Sequence, residues 1–173
     1  MDHRLTRSLP LNTKEAIKSS LDISLHVLNT YISDFSDAEL LERPGSACNH
    51  LAWQLGHLIA SEVQLLESIC PGKAASLPDG FAEKHSKETT GDNDAANFCT
   101  KAEYEELFTK VRSATLKALE EIDDAALDAP APDWIREHFP TVGHMFTLIG
   151  THPMMHAGQF AVVRRQTDKP ILM

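Results

Sequence analysis

The chain of 173 residues is 42% hydrophobic and carries a formal net charge of −9. Its length suits a single domain over residues 1–173, and its charge argues against nucleic-acid binding, because a phosphate backbone would be repelled. No apolar run approaches the roughly 20 residues that span a bilayer, and residues 1–10 do not resemble a signal sequence. We therefore expect a soluble, cytoplasmic protein with no membrane partner.

Four segments carry apolar residues at steps of three and four, the spacing typical of amphipathic helices. They are residues 12–32, 49–69, 100–123 and 141–166. No segment alternates convincingly between apolar and polar residues, so the pattern predicts an all-α protein built as a four-helix bundle. Residues 71–99 form a long connection, which would let the second and third helices run parallel as a crossover topology requires.

Short signals mark where helices begin and end. Ser36 with Glu39, and Thr100 with Glu103, have the spacing of a capping box, which predicts a helix start at each place. A continuous helix between the third and the last segment is excluded by three prolines: Pro130, Pro132 and Pro140.

Two histidines lie four residues apart in the last predicted helix, so His152 and His156 share a face and can converge on one ion. Such pairs are more often coincidental, but this one lies in the apolar stretch LIGTHPMMHAGQFAVV, where an unpaired imidazole is costly to bury. His57, amid apolar residues of the second helix, could supply a third imidazole. Three neutral nitrogens with an open fourth position are typical of a catalytic zinc-type centre.

Pro153 lies between the two histidines of the last segment and bears on their geometry. Inside a helix it removes a backbone donor, which should kink the helix or free the carbonyl near Ile149. Alternatively, Pro153 marks the true start of the helix and leaves His152 in a loop, because the residue before proline disfavours helical geometry.

Other polar residues have weaker signals. His50 and His144 each lie about two turns before a candidate ligand, where they could contact a ligand or the substrate, or simply pack at the mouth of the bundle. Gln159 could hydrogen-bond a ligand or have a structural role. Gly158 should allow a neighbouring helix to approach closely. Glu62 is expected to cap a helix or face solvent. Three further histidines are expected in loops: His3, His85 and His138.

Two motifs carry a family resemblance: NHLAWQLGHL at 49–58, with its Trp-x-x-x-His element, and HPMMHAGQ at 152–159. Together with the helix order, they resemble the DinB/YfiT-like metalloenzymes of the DinB superfamily. The resemblance implies an up-down-down-up bundle and a homodimer. It also implies a divalent metal cation, nickel or zinc, held by His57, His152 and His156. Some relatives use the metal to activate the sulfur of a small cellular thiol for transfer or isomerisation.

Two functional hypotheses follow. In the first, the protein is a metal-dependent enzyme whose partner is a small-molecule substrate, and it transfers a low-molecular-weight thiol to an electrophile or hydrolyses a small substrate. In the second, it is a non-catalytic metal- or ligand-binding bundle that acts as a stress-related binding or interaction protein. Three imidazoles suit zinc, nickel, copper or iron, so the ligand set alone does not select the metal.

Overall fold

The computed structural model describes residues 11–172, and these form an all-helical protein. The helices, numbered in chain order, are α1 (Thr13–Ile32), α2 (Leu51–Ile69), α3 (Phe81–Lys84), α4 (Lys101–Glu121), α5 (Asp124–Leu127) and α6 (Val142–Gln166). Between residues 11 and 172 there is no strand, only an isolated bridge between Pro130 and Thr141. The all-α prediction is therefore confirmed. The segment 1–10, with its predicted lack of a signal sequence and with His3, lies outside the described residues.

The four long helices are α1, α2, α4 and α6, and each of their boundaries lies within two residues of the predicted segment. Helix α1 packs against α6 and α4, and α2 packs against α4 and α6. None of the described helices is long and apolar enough to cross a membrane. The side chains between the long helices form two buried clusters.

Each cluster draws on all four long helices. One contains residues from the end of α1, the start of α2, the start of α4 and the end of α6, among them Leu28, Ile32, Leu51, Leu55, Tyr104, Phe108, Phe160 and Val163. The other contains residues from the opposite part of each helix, among them Ile17, Leu21, Leu65, Leu66, Ala118, Leu119, Phe146 and Ile149.

The predicted capping boxes are present. The Thr100 hydroxyl accepts from the Glu103 backbone N–H while the Glu103 carboxylate accepts from the Thr100 backbone N–H, and α4 begins at the next residue. Ser36 and Glu39 make the same reciprocal pair ahead of a short turn of 3-10 helix, Glu39–Leu41. These bonds satisfy amide groups that a helix start leaves without partners.

Helix α6 runs without interruption through Pro153. The alternative that Pro153 begins the helix is therefore wrong, and His152 lies in the helix rather than in a loop. Pro153 is buried. The packing of the proline ring compensates for a lost hydrogen bond, because proline has no N–H to donate to the Ile149 carbonyl one turn earlier.

A buried ion pair joins α2 to α4. The Arg112 guanidinium donates from two nitrogens to the two carboxylate oxygens of Glu62, at 2.9 and 2.8 Å, and the side chains are only 2% and 3% exposed. The Thr115 hydroxyl donates to the same carboxylate at 2.7 Å, and Arg112 also donates to the Leu21 carbonyl of α1. The prediction that Glu62 caps a helix or faces solvent is therefore wrong.

The connection between α2 and α4 is fixed to the start of α2 by His50. The buried His50 ring accepts from the Trp53 backbone N–H through Nδ1, at 3.0 Å, and so caps α2. Its other nitrogen, Nε2, donates to the Asp92 carbonyl at 3.1 Å. Burial, reinforced by the nearby Arg43, lowers the pKa of His50 to about 4. His50 therefore serves the fold as a neutral side chain.

We expect Arg112→Met to lower the free energy of unfolding by about 3–5 kcal/mol, because it leaves the Glu62 carboxylate buried without its counter-charge. Urea denaturation monitored by circular dichroism measures the change. Lys73→Met is the matched control, because Lys73 pairs with Glu121 at the surface, where both side chains are largely solvated. Its effect should be much smaller, and equal losses in the two variants would contradict a special cost of the buried pair.

His50 should make stability depend on pH. The unfolded chain takes up a proton at His50 below its ordinary pKa of 6.5, whereas the folded chain resists protonation down to about pH 4. The contribution of neutral His50 to the free energy of unfolding is therefore complete above about pH 6.5 and is lost as the pH falls towards 4. Between pH 7 and pH 5 we expect the wild-type protein to lose about 1–2 kcal/mol more than His50→Asn, which can still cap but does not titrate. Parallel pH slopes in urea denaturation would contradict the assignment.

Candidate metal site

Three histidines from two packed helices converge. His57 comes from the middle of α2, and His152 and His156 lie one turn apart on α6. One ring nitrogen from each histidine lies within 4.8 Å of the other two, and the ring centroids are 5.0–5.6 Å apart. These ring nitrogens are close enough together to hold one metal ion. The structure thus brings together the three residues that the sequence pattern singled out.

The environment of the three rings keeps them neutral. All three are half-buried, and burial lowers the pKa of each: that of His152 falls to about 4 and that of His156 to about 3. The pKa of His57 is also lowered, mainly by burial and further by the positive charge of Lys87. Mutual repulsion within the group adds to the shifts of His152 and His156. A neutral imidazole has a free lone pair, and this is the form that binds a metal.

Gln54 fixes the orientation of one ring. Its side chain is 1% exposed, and its amide nitrogen donates to the Asn49 carbonyl at 2.6 Å. The amide oxygen therefore faces His156 and accepts from Nδ1 at 2.8 Å. With its proton on Nδ1, His156 has its lone pair on Nε2. The sequence analysis missed Gln54, although its position three residues before His57 places it on the same face of α2.

Trp53 holds the ring of His57. The indole stacks on the imidazole with ring centroids 5.0 Å apart and an interplanar angle of 11°. Its Nε1 donates to the Ser86 carbonyl and to the Thr89 hydroxyl, at 3.2 and 3.0 Å. The connection between α2 and α4 thus positions the side chain that covers His57.

His85 lies just after α3 in the connection between α2 and α4, so its prediction as a loop residue is confirmed, but its side chain is buried. Its ring is 2% exposed; Nδ1 donates to the Phe81 carbonyl at 2.7 Å, and Nε2 accepts from the Tyr104 hydroxyl at 2.8 Å. The ring lies against Gly56, where an added Cβ would come within 2.0 Å of it. Gly56 therefore lets the connection approach α2 directly beside His57. A glycine inside an apolar helix was the sequence signal for this contact.

A cavity of about 280 Å³ adjoins two of the three histidines. Its lining consists of His57, Ser61, Gln64, Leu65, Trp134, Ile135, Leu148, His152 and Met155. Trp134 and Met155 form an exposed rim, with exposed fractions of 63% and 62%. The histidine group is therefore accessible from one side of the protein.

The remaining candidates lie outside the histidine group. His50 caps α2, and the exposed His144 contacts the Thr141 hydroxyl at 2.8 Å, at the start of α6. Gln159 is half-buried on α6. A Cβ at Gly158 would meet no atom within 4 Å, so the prediction that Gly158 permits a close helix approach is wrong.

Comparison with known protein families gives a match over most of the chain. The family model of the DinB superfamily matches residues 20–160, a range that includes both histidine-bearing motifs. A search among curated proteins gives no match. Because the family match spans well over half of the chain, this protein belongs to the DinB superfamily.

Proposed function

We propose that this protein binds one divalent metal cation, zinc or nickel, through His57, His152 and His156. The observation that carries the proposal is the convergence of three ring nitrogens within 4.8 Å. The donor set fits such an ion, because neutral imidazole is a good ligand for both metals. Gln54 supports the fit, since it leaves Nε2 of His156 free to coordinate.

We further propose that the protein is a metal-dependent enzyme that transfers a small thiol to an electrophile, with hydrolysis of a small substrate as a variant. The cavity beside His57 and His152 supports this, because it gives a substrate access to the histidine group. A bound divalent cation would supply Lewis-acid chemistry, lowering the pKa of a thiol or water that coordinates it.

The chain's own residues would bind and orient the substrate. Ser61 and Gln64 offer neutral hydrogen-bonding groups, while the apolar lining reduces contact with water. None of the nine lining residues is a carboxylate, so the lining provides no carboxylate to act as a general base. A proton lost by the substrate would therefore pass to solvent or buffer.

The architecture and assembly expected for the family complete the proposal. We propose a single domain in which the four long helices form an up-down-down-up bundle. The two buried clusters support this course, since one combines the ends of α1 and α6 with the starts of α2 and α4. We also propose a cytoplasmic homodimer, as the family resemblance implies.

Metal analysis tests the ligand set. Protein without a histidine tag, incubated with zinc or nickel and then dialysed, should retain about one ion per chain by elemental analysis. His57→Ala and His156→Ala should retain far less, because each removes one of three ligands. His144→Ala, which removes an exposed histidine from the same helix as His156, is the control and should match the wild-type protein.

The same variants separate the two functional hypotheses. Metal-loaded wild-type protein, assayed with a panel of thiols and electrophiles, should show an activity that His156→Ala loses. Undiminished metal content in His57→Ala would refute the triad. Full metal content without activity against any pair would favour the non-catalytic hypothesis.

Gln54 should tune metal affinity without being a ligand. We expect Gln54→Leu to weaken metal binding about 10- to 100-fold, because His156 loses the acceptor that holds its proton on Nδ1. Gln54→Glu keeps an acceptor and should retain more of the affinity. Competition with a chromophoric chelator measures the affinity, and nitrogen-15 NMR of the imidazole reports the tautomer. Equal affinities in Gln54→Leu and the wild-type protein would contradict the role.

A further inference from the structure

We propose that the substrate placed beside the histidine group is an uncharged molecule with an aromatic or aliphatic body, bound in the cavity between Trp134, Leu148 and Met155. The proposal rests on the proposed metal-dependent function and specifies its substrate class. It favours a neutral, apolar thiol or electrophile over one that carries a carboxylate.

The composition of the cavity lining carries this inference. Apart from the two histidines, the lining has five apolar residues and two neutral polar ones, Ser61 and Gln64. No lysine or arginine is among the nine lining residues, so a carboxylate at the rim, away from a metal held by the histidines, would lose water without gaining a cationic side chain as its partner. The chain's net charge of −9 would further disfavour the approach of an anion.

Hydrogen bonds within the segment between α5 and α6 support the apolar rim of the cavity. Trp134 lies in the segment between α5 and α6, where the Ala131 N–H donates to the Pro140 carbonyl at 3.0 Å. Within the segment, Arg136 Nε donates to the Ala131 carbonyl at 2.7 Å and the Ile135 N–H donates to the Pro132 carbonyl at 3.1 Å. These bonds hold Trp134 and Ile135 at the cavity, opposite Met155 and Leu148 of α6.

An exposed indole beside an exposed methionine costs free energy unless something covers them. The cavity volume of about 280 Å³ suits a small molecule, and the adjoining histidines give that molecule a reactive end to point inward. A substrate whose body packs on Trp134 and Met155 would cover this rim while its reactive end meets His57 and His152.

The test compares two probes that differ in one group, para-methylbenzyl mercaptan and para-carboxybenzyl mercaptan. Isothermal titration of the zinc-loaded protein should show that the neutral thiol binds at least about tenfold more tightly. Met155→Lys adds a cation at the rim and should shift the preference towards the carboxylated thiol by about tenfold. Met154→Lys is the matched control, because Met154 is an exposed neighbour that does not line the cavity. Its preference should stay that of the wild-type protein.

Two further measurements keep this inference separate from the proposed function. Elemental analysis of every sample reports the zinc content, and absence of zinc from the wild-type protein would refute the metal site alone. The thiol-free pair, para-methylbenzyl alcohol and para-carboxybenzyl alcohol, then probes the cavity in metal-free protein, where the neutral alcohol should still bind more tightly.

Three outcomes would overturn the inference. The first is equal or tighter binding of the carboxylated probe by the wild-type protein. The second is an equal change of preference in Met154→Lys and Met155→Lys. The third is a dimer that blocks the neutral probe and dissociates in Trp134→Ala, as shown by sedimentation, because the rim would then be covered by a second copy of the chain.

Discussion

One hydrogen bond, from Nδ1 of His156 to the amide oxygen of Gln54, links the two helices that carry the histidine group. Gln54 is almost fully buried, and its amide nitrogen is already committed to the Asn49 carbonyl. Neither end of the amide can rotate away without leaving a buried polar atom unpaired, which costs about 1–3 kcal/mol. The bond therefore ties α2 to α6 beside the histidine group and sets the direction of the lone pair on His156.

Helix α2 serves the fold and the site with different faces. Glu62 pairs with Arg112 and ties α2 to α4, whereas Trp53 and Gly56 meet the long connection through Ser86, Thr89 and His85. That connection is therefore part of the site's support, because it positions the indole that stacks on His57.

The helices could be predicted from the sequence because the patterns that indicate them are local. Apolar spacing and capping boxes depend on residues a few positions apart, and all four long helices begin and end within two residues of the prediction. The spacing of His152 and His156 is also local, whereas the inclusion of His57 required a second motif. The convergence of all three depends on how α2 packs against α6, which the family resemblance anticipated.

The contacts that the sequence analysis did not predict involve distant partners. Glu62 looks like a surface carboxylate until Arg112, fifty positions later, neutralises it in the core. His85 lies in a loop as predicted, but the enclosure of its ring depends on Gly56 and Tyr104, and the role of Gln54 depends on His156 of α6. Pairings between segments this far apart leave no periodic trace in the sequence.

Pro153 shows how packing overrides local preference at the site itself. Proline inside a helix costs about 3 kcal/mol or more, and the residue before it, here His152, disfavours helical geometry. Helix α6 nevertheless continues, because its buried face is packed against α1 and α2. The turn that carries both histidines is thus held by tertiary contacts in place of one of its own hydrogen bonds. An ion bound across α2 and α6 would strengthen those contacts, so metal binding and the stability of α6 would be thermodynamically linked.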